Sequence, residues 1–174
     1  MNTFHHGFWL YYFTQRHPKV IQIVLGSMAP DYIYFLLVAV LMTKGLLGWS
    51  DLPALTPAMF MSYLPQYPWA VYIDLMGHSA VVWGAMGIVS LFRPFQFCRP
   101  FMLGWGTHIF IDGLTHAAHA NFFLYPLSMV AVHSPVSFWD PKYFAHEFRL
   151  VNGTLITLAV CQMGYSWWKG RKKE

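Results

Sequence analysis

Charged side chains are scarce in this sequence: only 10% of its 174 residues are Asp, Glu, Lys or Arg, whereas 56% are hydrophobic and 19% are aromatic. A soluble domain of ordinary composition carries about 25% charged residues. The mean hydropathy is positive, at +0.40. These values predict an integral membrane protein rather than a soluble one. Neither an interdomain linker nor an internal repeat is visible, so we expect residues 1–174 to form a single membrane-embedded domain.

Cysteine is also scarce, and several common motifs are missing. The two cysteines, Cys98 and Cys161, have no Cys-x-x-Cys spacing, which argues against a disulfide framework and a thiolate metal site. Neither a Gly-x-Ser-x-Gly nucleophile motif nor a cleavable signal peptide is apparent. The net charge is +4, but no basic stripe is interleaved with aromatics, so we expect no nucleic-acid partner. The basic cluster at 169–173 is expected to face anionic lipid headgroups.

Four apolar stretches are long enough to cross a hydrocarbon core, which takes roughly 20 residues of helix. They cover residues 20–43, 69–92, 101–119 and 151–168. A fifth apolar segment, 4–15, is only about half a bilayer long at ~1.5 Å per residue, and it predicts either an interfacial helix or a half-span. The predicted fold is therefore all-α: an integral membrane bundle of four transmembrane helices plus this short N-terminal helix.

The distribution of lysine and arginine indicates an orientation for that bundle. With both termini in the cytoplasm, eight of these residues lie on the cytoplasmic side and only Lys44, Lys142 and Arg149 lie on the far side. Cytoplasmic loops carry an excess of Lys and Arg. The predicted topology is therefore N-in, C-in.

The segment GTHIFIDGLTH (106–116) carries His108, Asp112 and His116 at positions i, i+4 and i+8. Residues four apart lie on one face of a helix, so these three side chains are expected to point into one small volume. Ionisable residues are costly inside a membrane and usually mark a functional site. This stripe is the strongest functional signal in the sequence.

Other polar residues fall at a similar depth in the predicted spans. Asp31 lies near the middle of the first span, directly after Pro30, which should break or kink the helix. Asp74 and His78 are spaced i, i+4 in the second span. One of the two N-terminal histidines would join them if segment 4–15 is a half-span. The sequence therefore predicts an intramembrane cluster of histidine and aspartate.

The donor set of this cluster suits a metal ion. Imidazole and carboxylate together bind zinc, manganese or iron, and a carboxylate can bridge two metals about 3.5–4 Å apart. A metal also lowers the pKa of its bound water toward 7, which supplies a nucleophile without serine or cysteine. A hydrolytic metal site is thus one interpretation of the cluster.

Each of these residues also has a structural interpretation. His78 alone could hydrogen-bond a neighbouring helix, Asp31 could cap the helix that restarts after the proline, and Asp74 could orient His78 or lie at the interface. His78 and Asp31 lie at the same depth as His108 and Asp112, and this coincidence favours a shared site. The roles of four polar residues in or near the far-side loop stay open, with solvent exposure as the default: His119, His133, His146 and Glu147.

Three motifs occur in the order GSMAPDYIYF (26–35), GHS (77–79) and GTHIFIDGLTH (106–116). This order resembles that of bacterial inner-membrane proteins described as membrane-bound metal-dependent hydrolases. That group is similar in motif order to the zinc-dependent phospholipase C and S1/P1 nuclease fold, an all-helical class with up to three zinc ions. The resemblance runs from the N-terminal histidines to about His116 and implies a location in the inner (cytoplasmic) membrane.

The resemblance also implies a ligand set. One metal would be held by four residues and share the last of them with a second metal: Asp31, His78, His108 and Asp112. His5 or His6 would correspond to the early histidine of the pattern, and His116 to the histidine after the His-x-x-x-Asp pair. Asp31, His78 and Asp112 would be the catalytic residues. The later His-x-x-x-Glu pair of the phospholipases has no clean counterpart, so one or two ions, most readily zinc, are expected.

The predicted function is a membrane-embedded metal-dependent hydrolase that uses metal-activated water to cleave a phosphoester of a lipid or lipid-linked substrate, its site opening toward the extracytoplasmic side. Two alternatives belong to other classes. Histidines on facing spans could bind haem in an electron-transfer protein, which a Soret band would reveal. Intramembrane Asp and His could instead form the relay of a metal or proton transporter, which vesicle uptake without hydrolysis would favour.

Overall fold

The computed structural model describes residues 1–117 and 121–171, and helices make up most of them. The all-α prediction is confirmed: no β-strand forms in these ranges, and an isolated antiparallel bridge joins Asn121 to Val132. The α-helices in these ranges are α1 (Thr3–Thr14), α2 (Val20–Met28), α3 (Tyr32–Thr43), α4 (Pro57–Tyr63), α5 (Pro68–Gly77), α6 (Ala80–Val89), α7 (Arg99–Thr115) and α8 (Ala145–Arg171). Short 3-10 turns cover Ala29–Asp31, Trp49–Ala54, Leu64–Gln66, Arg93–Cys98 and Pro141–Tyr143.

The predicted spans differ in how well their helices suit a membrane. The stretch Val20–Thr43, which contains α2 and α3, is long and apolar enough to cross one. Helices α5 and α6 would form a second span together, but they meet at an angle of 65°. Helix α7 has 17 residues, fewer than the roughly 20 of a full span. The described chain thus has one clear span, or two if the bent pair counts as one, and the four-span bundle stays a prediction.

The first span is interrupted beside Asp31. Helix α2 ends at Met28, and the turn Ala29–Asp31 separates it from α3. The cause is Pro30, whose ring removes a backbone donor and prevents a continuous α-helix. The break predicted from the sequence is therefore confirmed.

The second predicted span, 69–92, is also interrupted, because it consists of two helices that meet at an angle of 65°. Helix α5 ends at Gly77, and α6 restarts at Ala80. Between them, the Ser79 hydroxyl accepts a hydrogen bond from the backbone N–H of Val82 at 3.0 Å, as a helix N-cap does. His78 stands at the break as the C-cap residue of α5, and its ring faces His108 on α7.

Helices α2 and α7 pack closely through two glycines. A Cβ atom at Gly104 would lie 1.9 Å from the backbone oxygen of Ile23, and one at Gly26 would lie 2.1 Å from that of Phe101. Small residues of this kind allow helix backbones to approach each other. The close approach brings the end of α2 beside the middle of α7, where His108 lies.

Two further features enclose the region around α7. An apolar core joins α3 to the start of α5 and consists of Ile33, Leu37, Leu41, Leu47, Leu64, Tyr67 and Ala70. The segment 121–140 is tied to the end of α7, because Ser134 and Phe138 donate backbone hydrogen bonds to His116 (3.0 Å) and Thr115 (3.1 Å). This segment therefore lies over the C-terminal end of α7.

Candidate metal centre

Histidine and aspartate side chains from α1, α5, α7 and the turn before α3 converge at one buried point. We call the group the His/Asp cluster; it comprises His6, Asp31, His78, His108, Asp112 and His116. His6 and His108 are fully buried, and Asp31, His78 and Asp112 are at most 9% exposed. The spatial cluster predicted from the sequence therefore exists, although the role of each member as a ligand stays a prediction.

Four members of the cluster lie close together between the end of α5 and the middle of α7. The Nε2 atom of His108 lies 3.1 Å from Asp112 Oδ2, 3.3 Å from His78 Nε2 and 3.7 Å from Asp31 Oδ1. His78 Nε2 lies 3.5 Å from the same Asp31 oxygen and 3.7 Å from Asp112 Oδ2. Ligand atoms bound at about 2.0–2.1 Å in a tetrahedron lie roughly 3.3–3.4 Å apart. The donor atoms of Asp31, His78 and His108 lie within 4.8 Å of one another, and so do those of His6, His108 and Asp112, so each set of three could hold a small cation.

Backbone carbonyl groups fix the two central imidazole rings. His108 Nδ1 lies 2.7 Å from the carbonyl oxygen of Ser27, and His78 Nδ1 lies 2.9 Å from that of Asp74. A carbonyl oxygen only accepts, so each Nδ1 carries the hydrogen and donates it. In a neutral ring the Nε2 atom then presents a lone pair to the centre of the cluster. Such outer hydrogen bonds are the usual way in which proteins orient metal-binding histidines.

Asp112 reaches a second set of groups through its other oxygen. Oδ1 lies 3.0 Å from His6 Nε2 and 3.5 Å from His116 Nδ1. It also accepts a hydrogen bond from the amino group of Met1 at 2.7 Å, and that amine lies 3.2 Å from Thr115 Oγ1. The carboxylate thus stands between two groups of nitrogen atoms, as a bridging ligand would.

The two N-terminal histidines have different surroundings. His6 faces the cluster and stacks on His108, with ring centroids 3.9 Å apart. His5 points to α8 instead, where its Nδ1 lies 3.1 Å from the side-chain nitrogen of Asn152. Adjacent residues of a helix point about 100° apart, so only one of them can face the cluster. The placement favours His6 over His5 as the candidate ligand.

His6 is also short of hydrogen-bond partners. Neither of its ring nitrogens makes a well-aligned hydrogen bond within the described residues, although Nε2 lies 3.0 Å from Asp112 Oδ1. A buried imidazole whose nitrogens lack well-aligned partners is costly in free energy, and a bound cation would satisfy one of them.

Asp31 does not act as a helix cap, the structural role that the sequence left open. It stands at the N-cap position of α3 but makes no capping hydrogen bond. Its Oδ2 accepts a hydrogen bond from the Thr3 hydroxyl at 2.6 Å, while Oδ1 faces the two central histidines. Its side chain is therefore directed into the cluster.

Asp74 lies behind His78 rather than in the cluster. Its Oδ1 lies 3.2 Å from His78 Nδ1 and accepts a hydrogen bond from the Tyr34 hydroxyl at 2.8 Å. Of the alternatives left open for Asp74, the geometry supports the one in which it orients His78. Tyr34 was not predicted, because a contact between residues 40 positions apart leaves no local signal.

The remaining polar candidates lie away from the cluster. His133 hydrogen-bonds the carbonyl of Ala117 through Nδ1 at 2.8 Å, and His146 and Glu147 are exposed at the start of α8. His119 lies outside the described residues.

Asn121 is an unpredicted neighbour of the cluster: it is buried and donates a hydrogen bond to the backbone oxygen of Asp112 at 3.1 Å.

The cluster opens on a cavity of about 380 Å³, which we call the cluster cavity. Asp31, His78, Asp112 and His116 form part of its wall, and the rest is mainly apolar. His6 and His108 do not line it. A molecule in the cavity would therefore meet three carboxylate and imidazole groups of the central site, with the fully buried histidines behind them.

These buried His/Asp groups could hold a metal ion, as the sequence predicted. No protein-family model, curated protein or solved structure matches the chain. The geometry of the cluster is consequently the observation on which a functional interpretation depends.

Proposed function

We propose that this protein is a membrane-embedded, metal-dependent hydrolase that cleaves a phosphoester of a lipid or lipid-linked substrate. The observation that carries the proposal is the convergence of the Nε2 atoms of His78 and His108, 3.3 Å apart, beside two carboxylates. Each ring donates its Nδ1–H hydrogen to a carbonyl oxygen, so the Nε2 lone pairs of the two rings face each other. Without a cation, one Nε2 atom must carry an additional proton and donate it to the other. A divalent cation at this point would instead bind both lone pairs and the Asp31 carboxylate beside them.

Zinc is the ion that we propose, in one or two copies. Imidazole and carboxylate form its common catalytic ligand sets, and the spacing of the donor atoms suits its short bonds. The second ion would lie on the Oδ1 side of Asp112, near His6 and His116. When bound, such ions lower the pKa of water toward 7 and neutralise charge on phosphoryl oxygens.

The cluster residues fall into two groups: those that would hold the ions and those that would contact the substrate. His108 and His6 are fully buried and do not line the cluster cavity, so they would hold the ions from behind. Asp31, His78 and Asp112 line the cavity and would face the substrate. Asp74 would keep the His78 ring in its orientation through the contacts to Nδ1. This division supports the catalytic set proposed from the sequence.

A bilayer location accounts for the surface of the helices. Many large apolar side chains of α2, α3, α6 and α8 are exposed, among them Ile21, Leu36, Ile88 and Leu158, each more than 50% accessible. Water disfavours such a surface, whereas lipid does not. We propose that these helices, with α7, lie in the bacterial inner membrane in the N-in, C-in topology, with the site open toward the extracytoplasmic leaflet.

The haem alternative receives no support from the geometry. The facing nitrogens of His78 and His108 are 3.3 Å apart and flanked by Asp31 and Asp112, so no flat macrocycle fits between the rings. The transporter alternative is distinguished from the hydrolase by experiment, because a transporter would move zinc across a membrane without hydrolysing a phosphoester.

The test compares zinc-loaded wild-type protein with His108→Ala and Asp112→Asn in a phosphoester hydrolysis assay, with His133→Ala as the matched control outside the cluster. We expect the wild type and the control to release product and the two cluster variants to fall to background. A wild type that binds zinc without hydrolysis, and that carries zinc into sealed vesicles, would instead identify a transporter.

A further inference from the structure

A second cavity lies beside the cluster, between α1, α3 and the segment 52–61. We call it the side cavity; its volume is about 520 Å³, within the range of ligand sites. Its wall is mainly apolar and includes Phe35, Val38, Leu52, Leu55 and Phe60. The polar atoms of the wall belong to Met1, Asn2, Thr3, Asp31, Tyr34 and Thr56. Because most of the remaining wall is apolar, a hydrocarbon chain suits this space better than a polar group.

The side cavity and the cluster cavity adjoin each other. Asp31, Tyr34 and Met61 belong to the walls of both. A ligand that crosses from one to the other would therefore pass from an apolar environment directly to a carboxylate of the proposed metal site. Tyr34 is held at this boundary by its hydrogen bond to Asp74.

Exposed aromatic rings stand at the outer edge of the side cavity. Phe4 and Phe35 line it, are 63% and 46% exposed, and contact each other with ring centroids 6.0 Å apart. One comes from α1 and the other from α3. The cavity therefore reaches the outer surface between these two helices, where a bilayer would surround the protein.

We propose that the side cavity binds the hydrocarbon chain of the substrate while its phosphoester lies in the cluster cavity at Asp31. This assignment rests on the proposed function, and it makes the substrate an amphiphile with a hydrocarbon chain next to the scissile phosphate. The chain enters beside the Phe4 and Phe35 rings, passes Tyr34 and Met61, and leaves the head group beside the metal ligands.

The first experiment measures hydrolysis of p-nitrophenyl alkyl phosphodiesters with alkyl chains of two to ten carbons, each below its micelle concentration, by zinc-loaded protein in nanodiscs. Each methylene that enters an apolar cavity should lower KM by up to about fourfold. We expect KM to fall with chain length and then level off. A KM that is independent of chain length would overturn the assignment.

A matched pair of variants distinguishes binding of the chain inside the side cavity from contact with the exposed surface of α3. Val38 lines the side cavity, whereas its neighbour Ala39 is exposed on the same helix and does not. Val38→Trp should remove the dependence of KM on chain length and leave turnover of the two-carbon substrate unchanged, whereas Ala39→Trp should resemble the wild type. Equal effects of the two variants on long and short substrates would contradict the proposal.

A binding measurement keeps the assignment testable if Val38→Trp does not fold or if no phosphodiester is hydrolysed. A ten-carbon alkyl phosphate with a diazirine at its chain end is photolysed with the wild-type protein, and the labelled peptides are sequenced. Label on the 49–63 segment or on α3 around Val38 supports the side cavity. Label confined to the exposed faces of α6 and α8 refutes it. Absence of hydrolysis with correct labelling would refute the enzymatic function alone.

Discussion

Replacing Gly104 with alanine tests whether the close packing of α2 on α7 holds the metal site in place. The added Cβ would lie 1.9 Å from the Ile23 carbonyl oxygen, compared with 3.4 Å or more for an ordinary contact, so the helices must separate by about 1.5 Å. Overpacking costs about 1–3 kcal/mol, and a clash this close against a backbone atom falls in the upper part of that range, at about 2–3 kcal/mol. Alanine recovers about 1 kcal/mol through its helix propensity. The expected net destabilisation is about 1–2 kcal/mol.

The same separation would weaken the metal site. The bond from His108 to the Ser27 carbonyl is 2.7 Å long and would be lost, which should lower zinc affinity by about 10–100-fold. Thermal unfolding of the purified protein should show Tm about 2–8 °C lower, and zinc competition with a chelator gives the affinity. The matched control is Gly153→Ala on α8, where a Cβ meets no atom within 4 Å and Tm should rise slightly. Unchanged Tm and zinc affinity in Gly104→Ala would refute the reasoning.

Three further predictions concern the cluster. Asp74→Asn should lower zinc affinity and turnover by about 10–100-fold, because His78 loses the carboxylate that orients it; chelator competition and the assay measure both, and wild-type values would contradict the role. His6→Ala should weaken zinc binding, whereas His5→Ala should leave it unchanged because that ring faces α8; isothermal titration distinguishes them, and the reverse result would refute the assignment. Removing metal with EDTA should lower Tm and added zinc should restore it, because the ion binds only the folded cluster; a Tm insensitive to both would argue against a site.

The local part of the site was predictable from the sequence. His108 and Asp112 lie four residues apart on α7, so the geometry of the helix alone brings their side chains together. The break at Pro30 follows from proline chemistry and explains how Asp31 can point inward. The break at Ser79 also had a local signal, a serine directly before a new apolar run, that the continuous-span interpretation overlooked.

The remainder depends on how the helices are rotated and packed. The choice between His5 and His6 requires the rotation of α1, and the apolar residues spread around that helix give no preferred face. The contacts of Asp74 with Tyr34 and of Asn121 with the Asp112 backbone join separate elements. Asp74, Tyr34 and Asn121 have side chains that occur in many environments, so their residue types alone do not indicate these contacts. Only the tertiary structure identifies them as neighbours of the cluster.

Anomalous X-ray diffraction at the zinc edge tests the central claim most directly. Crystals of the zinc-loaded protein should show an anomalous peak between His78 Nε2, His108 Nε2 and the Asp31 and Asp112 carboxylates, and a second peak, if present, near His6 and His116. The peak should disappear in crystals of Asp112→Asn treated in the same way. Zinc-loaded wild-type crystals without anomalous density among these residues would contradict the metal centre and the hydrolase built upon it.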